Sequence, residues 1–385
     1  MTPLARWALA AALSAAVSVV PTVAPLAADD RTVTIPVIVP LTGPGAEYGA
    51  GDKLAVLMAF DEVNAHSGID GYKLKADIYD DGSVATQAAG IMHGLVGNSL
   101  AILGPNLSTT CKAAFPIANS SGVVAISSSI SDASILAQNR PWTFNVFLPG
   151  NNVEKAAADK FVAMKKPKTV VAVVDRDEIA SSAQATFLLD ALQGDGVKLV
   201  RRIDVSEQQA TYSSEADAAK ALKPDMLVVS AYPDASGAIV KALRGAGMNQ
   251  PILFTITSIT PDSLRIGGGA MTNGWAMVEA WPGIGNARKR AFDTNFEKLS
   301  KGLVPEPTAP YMYDTAMLLV EALKSSGVLK STASLDQRRT MLRDALAHQH
   351  VAGVTGDWNM TPSGLRTGNP LWLAVQDGKV IETHD

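Results

Sequence analysis

The 385-residue chain carries 33 Lys plus Arg against 37 Asp plus Glu, a formal net charge of −4, so it lacks the dense basic field that a nucleic-acid partner would require. Apolar residues make up 47% and charged residues 18%, enough for a sizeable core and too apolar for a disordered chain. The single cysteine, Cys111, rules out an intrachain disulfide, and five dispersed histidines give no Cys/His metal spacing, so no metal or cofactor is expected. This length ordinarily makes about two domains.

In chain order, residues 1–28 read as a secretory signal. Arg6 precedes an apolar stretch at 7–20, then Pro21 and the small residues Ala24, Ala27 and Ala28, with cleavage after Ala27 or Ala28. The stretch is shorter than the ~20 residues a spanning helix needs. With no cysteine near the cleavage point, lipid attachment has no obvious site, and a disulfide-free exported chain fits the periplasm.

Beyond the leader, 32–39 (TVTIPVIV), 73–79 and 100–103 read as strands and 51–64 and 84–96 as helices; a further helix begins near Thr109, followed by a strand at 123–126. The grammar resumes after Pro149, with strands at 168–174, 197–205, 225–230 and 252–256 alternating with helices at 181–192, 213–222 and 235–246. Val- and Ile-rich runs separated by helices mean parallel sheets covered on both faces, and two successive series imply an α/β fold of two doubly wound lobes. Residues 267–269 read as a flexible glycine loop. Arg288, Lys289, Arg290, Lys298 and Lys301, interleaved with Asp293 and Glu297, read as a solvated helix face.

An open parallel sheet binds its ligand at the carboxyl ends of its strands. The first such loop, LTGPGAEYGAG at 41–51, fails the dinucleotide spacing because position 48 is a tyrosine, and Asp52-Lys53 breaks a phosphate-loop ending; Tyr48 reads as an aromatic lid over a plain turn. Two further loops, GPNLSTT at 104–110 and SSSIS at 127–131, follow neighbouring strands. Ser108 and Thr109 alone read as helix caps; with Ser129 and Ser131 they form a concave, hydroxyl-rich site suited to a small carboxylate.

These pieces, with YDDGS at 79–83, GVVAISSSIS at 122–131, PDMLVVSAYPDASGAIVKALRGAGM at 224–248, APYMYDTAMLLVEAL at 309–323 and GVTGDWNMTPSG at 353–364, resemble the exported solute-binding proteins of branched-chain amino acid ABC transporters, the leucine/isoleucine/valine-binding family. The resemblance covers the whole mature chain. It implies the type I periplasmic-binding-protein fold, a Venus flytrap of two lobes joined by three hinge crossings, with lobe 1 at 29–148 and 279–369 and lobe 2 at 149–278 and 370–385. It further implies a monomer that delivers its ligand to an inner-membrane ABC permease. In the family the ligand carboxylate is held by a serine that falls on Ser108 and by a hydroxyl residue in the 129–131 loop, and two tyrosines fall on Tyr48 and Tyr232. The expected ligand-binding set is Tyr48, Ser108, Thr109, Ser129, Ser131, Ile179, Tyr232 and Thr257.

Two positions depart from the family. Ile179 stands where a second-lobe tyrosine is expected, and the segment Ile256-Thr257 stands where a glutamate receives the ligand ammonium. An ammonium buried without a carboxylate is costly, so Asp177, Glu178 or Asp234 substitutes, or the ligand has no ammonium. Hydrophobic amino acids are the leading ligand class, with aromatic or other small organic acids or amides as the alternative and a ligand sensor of the same fold as a second alternative. No Gly-x-Ser-x-Gly elbow or His-Glu-x-x-His pair is present, and the expectation is a non-enzymatic receptor.

Overall fold

The computed structural model describes residues 31–302, 304–306 and 308–383; the expected leader at 1–28 lies outside the described residues. The first half runs β1 (Thr32–Val39), α1 (Ala46–Ala65), β2 (Lys73–Asp80), α2 (Ala85–Leu95), β3 (Ala101–Leu103), α3 (Ser108–Ser120), β4 (Val124–Ser127), α4 (Ala133–Ala137), β5 (Thr143–Asn145), α5 (Gly150–Lys165), β6 (Thr169–Asp175), α6 (Ile179–Gly194) and β7 (Lys198–Val205). It continues with α7 (Ser213–Ala221), β8 (Met226–Ser230), α8 (Pro233–Gly245), β9 (Ile252–Phe254), α9 (Pro261–Gly267), β10 (Gly274–Val278), α10 (Ala287–Leu299), α11 (Ala309–Ser326), α12 (Leu335–Leu346), β11 (His350–Gly353), β12 (Gly356–Asn359), β13 (Leu371–Gln376) and β14 (Lys379–Glu382).

Two parallel sheets carry the fold. The first has the order β2-β1-β3-β4-β5; the second has β7-β6-β8-β9-β10 in the same pattern, extended by β13 and β14, which pair antiparallel. Central strands are uniformly apolar because helices cover both faces: β6 (TVVAVVD) and β8 (MLVVS) are buried almost throughout. The edge strands β2 (KLKADIYD) and β7 (KLVRRIDV) carry the charges, which discourages edge-to-edge pairing with another chain. Helices α10 and α11 pack on α1 of the first lobe, with α12 on α11, whereas α5 to α9 pack within the second. The chain therefore passes between lobes after β5, after β10 and before β13.

Two readings of the sequence need correction. The glycines at 267–269 end α9 and enter a 3₁₀ turn, Gly268–Met271, rather than a loose loop. The charged face of α10 is not wholly solvated: Lys289 is 2% exposed, its Nζ donating to Trp281 O and pairing with Asp293 at 2.5 Å. This turn of α10 lies against the 279–286 segment and the β11–β12 turn, which charge patterning alone does not reveal.

Candidate functional site

In each sheet the strand order reverses once, between β1 and β3 in the first lobe and between β6 and β8 in the second. Crevices open outside the strand ends at such points, and here the two face each other. The first is lined by the turn after β1 and the loop at 104–107, the second by 176–178 and 231–232. Local sequence fixes both approaches. Gly104 turns out of β3 at φ +87°, and a Cβ there would lie 2.0 Å from Ile38 O; Gly49 lets α1 start against β1, where a Cβ would meet Pro40 O at 1.9 Å.

Between the crevices lies a cavity of about 30 Å³, room for a water or two, so a solute the size of an amino acid needs the walls to part. Tyr48, Leu107, Phe147, Ala180, Tyr232, Ile256 and Val278 make its walls largely apolar. Tyr48 and Tyr232 meet edge-on, centroids 5.7 Å apart at 72°. Against this background three polar atoms on lining residues are buried without a hydrogen-bond partner: Ser108 Oγ, Tyr311 Oη and Glu279 Oε2. Buried polar groups are ordinarily satisfied, so these atoms stand out on the wall.

The lobes are held together across the cavity. Glu178, the N-cap of α6, accepts from Thr109 N at 3.2 Å and Thr109 Oγ1 at 2.5 Å. Gln184 Nε2 donates to Ser131 Oγ at 2.6 Å, while its Oε1 accepts from Thr257 N and Oγ1 at 3.2 and 3.0 Å. Tyr48 Oη donates to Thr257 O at 3.2 Å.

Of the residues expected from the sequence, Tyr48, Ser108, Ser129, Ser131, Tyr232 and Thr257 line the cavity. Ser129 Oγ is turned to Asn106 O and Ser131 Oγ to Gln184, leaving Ser108 as the hydroxyl of this serine set without a partner. Thr109 and Ile179 are not on the wall. Thr109 is engaged by Glu178, and Ile179 N faces Thr109 Oγ1 at 3.4 Å, because the start of α6 docks on the start of α3. The three acids considered for an ammonium also lie elsewhere: Glu178 is used in that docking, Asp177 accepts from Ser206 Oγ, and Asp234 lines an outer crevice between the lobes. The acid that does reach the cavity is Glu279, which sequence reasoning missed together with Phe147, Thr308 and Tyr311.

A family model described as periplasmic binding protein matches residues 32–379. The chain belongs to the periplasmic binding protein family. Among relatives of this periplasmic binding protein, a leucine-, isoleucine-, valine-, threonine- and alanine-binding protein of Pseudomonas aeruginosa is 24% identical over 58% of the chain, which spans 60% of that relative's length. A Leu/Ile/Val-binding protein homolog of Brucella melitensis is 22% identical over 92% of the chain and 88% of its own length. Solved structures share the fold: a leucine-binding protein of Thermotoga maritima (TM-score 0.82, 21% identity, 91% of this chain and 98% of that one) and an R. palustris solute-binding protein in complex with benzoate (TM-score 0.81, 18% identity, 91% and 95%).

Burial sets the electrostatics of this periplasmic binding protein. Glu47 is pushed up to about 8 by burial and the neighbouring Asp262, and burial alone pushes Glu154 to about 8 even though its Oε1 accepts from Ile256 N. Glu279 is likewise raised to about 8 by burial, opposed by Arg366 and by Leu148 N. Each such carboxyl holds its proton in the folded chain up to about pH 8 but releases it near 4.5 when unfolded. Between those values the native state binds more protons, and stability falls as pH rises. Thermal scans without ligand should therefore show a melting temperature several degrees higher at pH 5.5 than at pH 8; a flat or opposite profile would contradict the burial of these acids.

Proposed function

We propose that this periplasmic binding protein is an exported, non-enzymatic receptor that captures a small carboxylate-bearing hydrophobic solute between its lobes and delivers it to an inner-membrane ABC permease. The observation that carries the reading is Ser108: its hydroxyl is buried and unpartnered at the start of α3, on the wall of an otherwise apolar cavity. Hydroxyl and backbone N–H donors without a lysine or arginine on the wall suit one carboxylate better than a phosphate. Relatives named for leucine, isoleucine and valine support the hydrophobic side of the assignment. The proposed place of action is the periplasm, and the proposed working form is a monomer. Tyr48, Phe147 and Tyr232 on the wall favour a second reading, an aromatic acid, in line with the benzoate-bound neighbour.

The test is calorimetry on protein unfolded and refolded to remove carried-over ligand, comparing free acids with their methyl esters. Ser108→Ala should weaken binding by about 1.5–3 kcal/mol, the range for a hydrogen bond to a charged group. An ester that binds as well as its acid would overturn the carboxylate assignment.

A further inference from the structure

We infer that Glu279, at the second crossing between the lobes, receives the α-ammonium of the ligand, so that the solute class is α-amino acids and not their deaminated counterparts. This rests on the reading of the cavity as a carboxylate site. Glu279 follows the last residue of β10 and is 6% exposed. Its Oε1 accepts from Leu148 N at 2.7 Å, which fixes the side chain across the first crossing, while Oε2 lies buried without a partner. Among the described residues lining the cavity it is the one acid. A buried carboxylate oxygen left unmatched is costly, and an ammonium supplies both the charge and the donor that it lacks.

The charged and titratable groups around Glu279 are Arg366, Lys289 and Tyr311. Arg366, before the third crossing, is the opposing charge; it is shared with Asp314 of α11 and its Nη1 donates to Thr355 Oγ1, while its Nε is buried without a partner. Lys289 of α10 is paired with Asp293 and Trp281 O. Tyr311 of α11 lines the same cavity with a hydroxyl that has no partner. The ligand would thus lie with its carboxylate at Ser108 and its ammonium toward the hinge, its side chain against Tyr48 and Tyr232. Burial that keeps Glu279 protonated up to about pH 8 adds a signature: an arriving ammonium displaces that proton, whereas a deaminated acid does not.

The experiment is calorimetry on the refolded full chain with leucine, valine and phenylalanine against 4-methylpentanoate, 3-methylbutanoate and 3-phenylpropanoate. The amino acids should bind about 100-fold or more tightly than their partners. Their affinity should rise close to tenfold per pH unit from about pH 6 to 7.5, with a proton released into the buffer. Glu279→Gln should abolish that release and cost the amino acids about 100-fold while sparing the deaminated acids, and Glu279→Asp should recover part of the loss. Equal binding of leucine and 4-methylpentanoate by the wild-type chain, or no proton release, would overturn the inference whether or not the variants fold. In that case Ser108→Ala still weakening the acids would leave the carboxylate reading standing; esters binding as well as acids would remove both.

Discussion

Glu178→Ala is expected to weaken ligand binding about 10- to 100-fold while each lobe stays folded. The carboxylate of this N-cap reaches across the cleft to the N–H and hydroxyl of Thr109, so it joins the start of α6 to the start of α3 only when the lobes are shut. Hydrogen bonds to a charged group contribute about 1.5–3 kcal/mol net, part of which is offset by burying a side chain only 7% exposed. A ligand that binds the closed state loses apparent affinity in proportion to the closed fraction. Titration calorimetry would give the affinity, and small-angle scattering should show the wild type compacting more on ligand binding than the variant. Glu178→Ser separates the two roles of this residue, since a serine can cap α6 yet is too short to reach Thr109. An unchanged affinity in both variants would show that the contact does not bias closure.

Asp314→Ala should be the most destabilising substitution outside the cavity, by about 3–5 kcal/mol, the range for breaking a buried charged network. From α11 this carboxylate accepts from Val354 N at 2.8 Å, Thr355 N at 3.1 Å, Trp358 Nε1 at 3.2 Å and the Thr355 hydroxyl. It thereby gathers the turn between β11 and β12 onto the helix and sits beside Arg366, whose guanidinium stacks over Tyr311 and Trp358. Removing it strands several buried donors and one cation at once. Calorimetric melting should fall by roughly 4–7 °C for a chain of this length, and a change of under about 1 kcal/mol would mean that water replaces the carboxylate readily.

The alternation of strands and helices was legible because doubly covered parallel strands read as unbroken Val and Ile runs, as at 169–175 and 226–230. Three-residue strands such as TFN at 143–145 carry no such signal; they are strands only because β4 beside them supplies a pairing edge. Tyr48 and Ser108 could be picked out as cavity-lining because they sit where strands pass into helices, where a parallel sheet places its ligands, and Tyr232 and Thr257 only through the family resemblance. Glu279, Phe147 and Tyr311 could not. The first two lie at crossings between lobes and the third is one of many buried residues of α11, so their meeting depends on how the lobes dock, which no local pattern encodes. Lys289 shows the same limit on the surface, where a helix face that looks uniformly charged turns one ammonium inward.

The placement of the last strands bears on the order in which the molecule can assemble. All five strands of the first sheet are contained in 32–145, although α11 and α12, which reach β4, come from 309–346. The second sheet is different: the outer edge of β10 is covered by β13 from 371–376, which β14 covers in turn. A growing chain therefore holds β10 with an open edge until residues 371–376 have emerged. Chains ending before 371 would present that edge to one another, the geometry that seeds intermolecular sheet pairing.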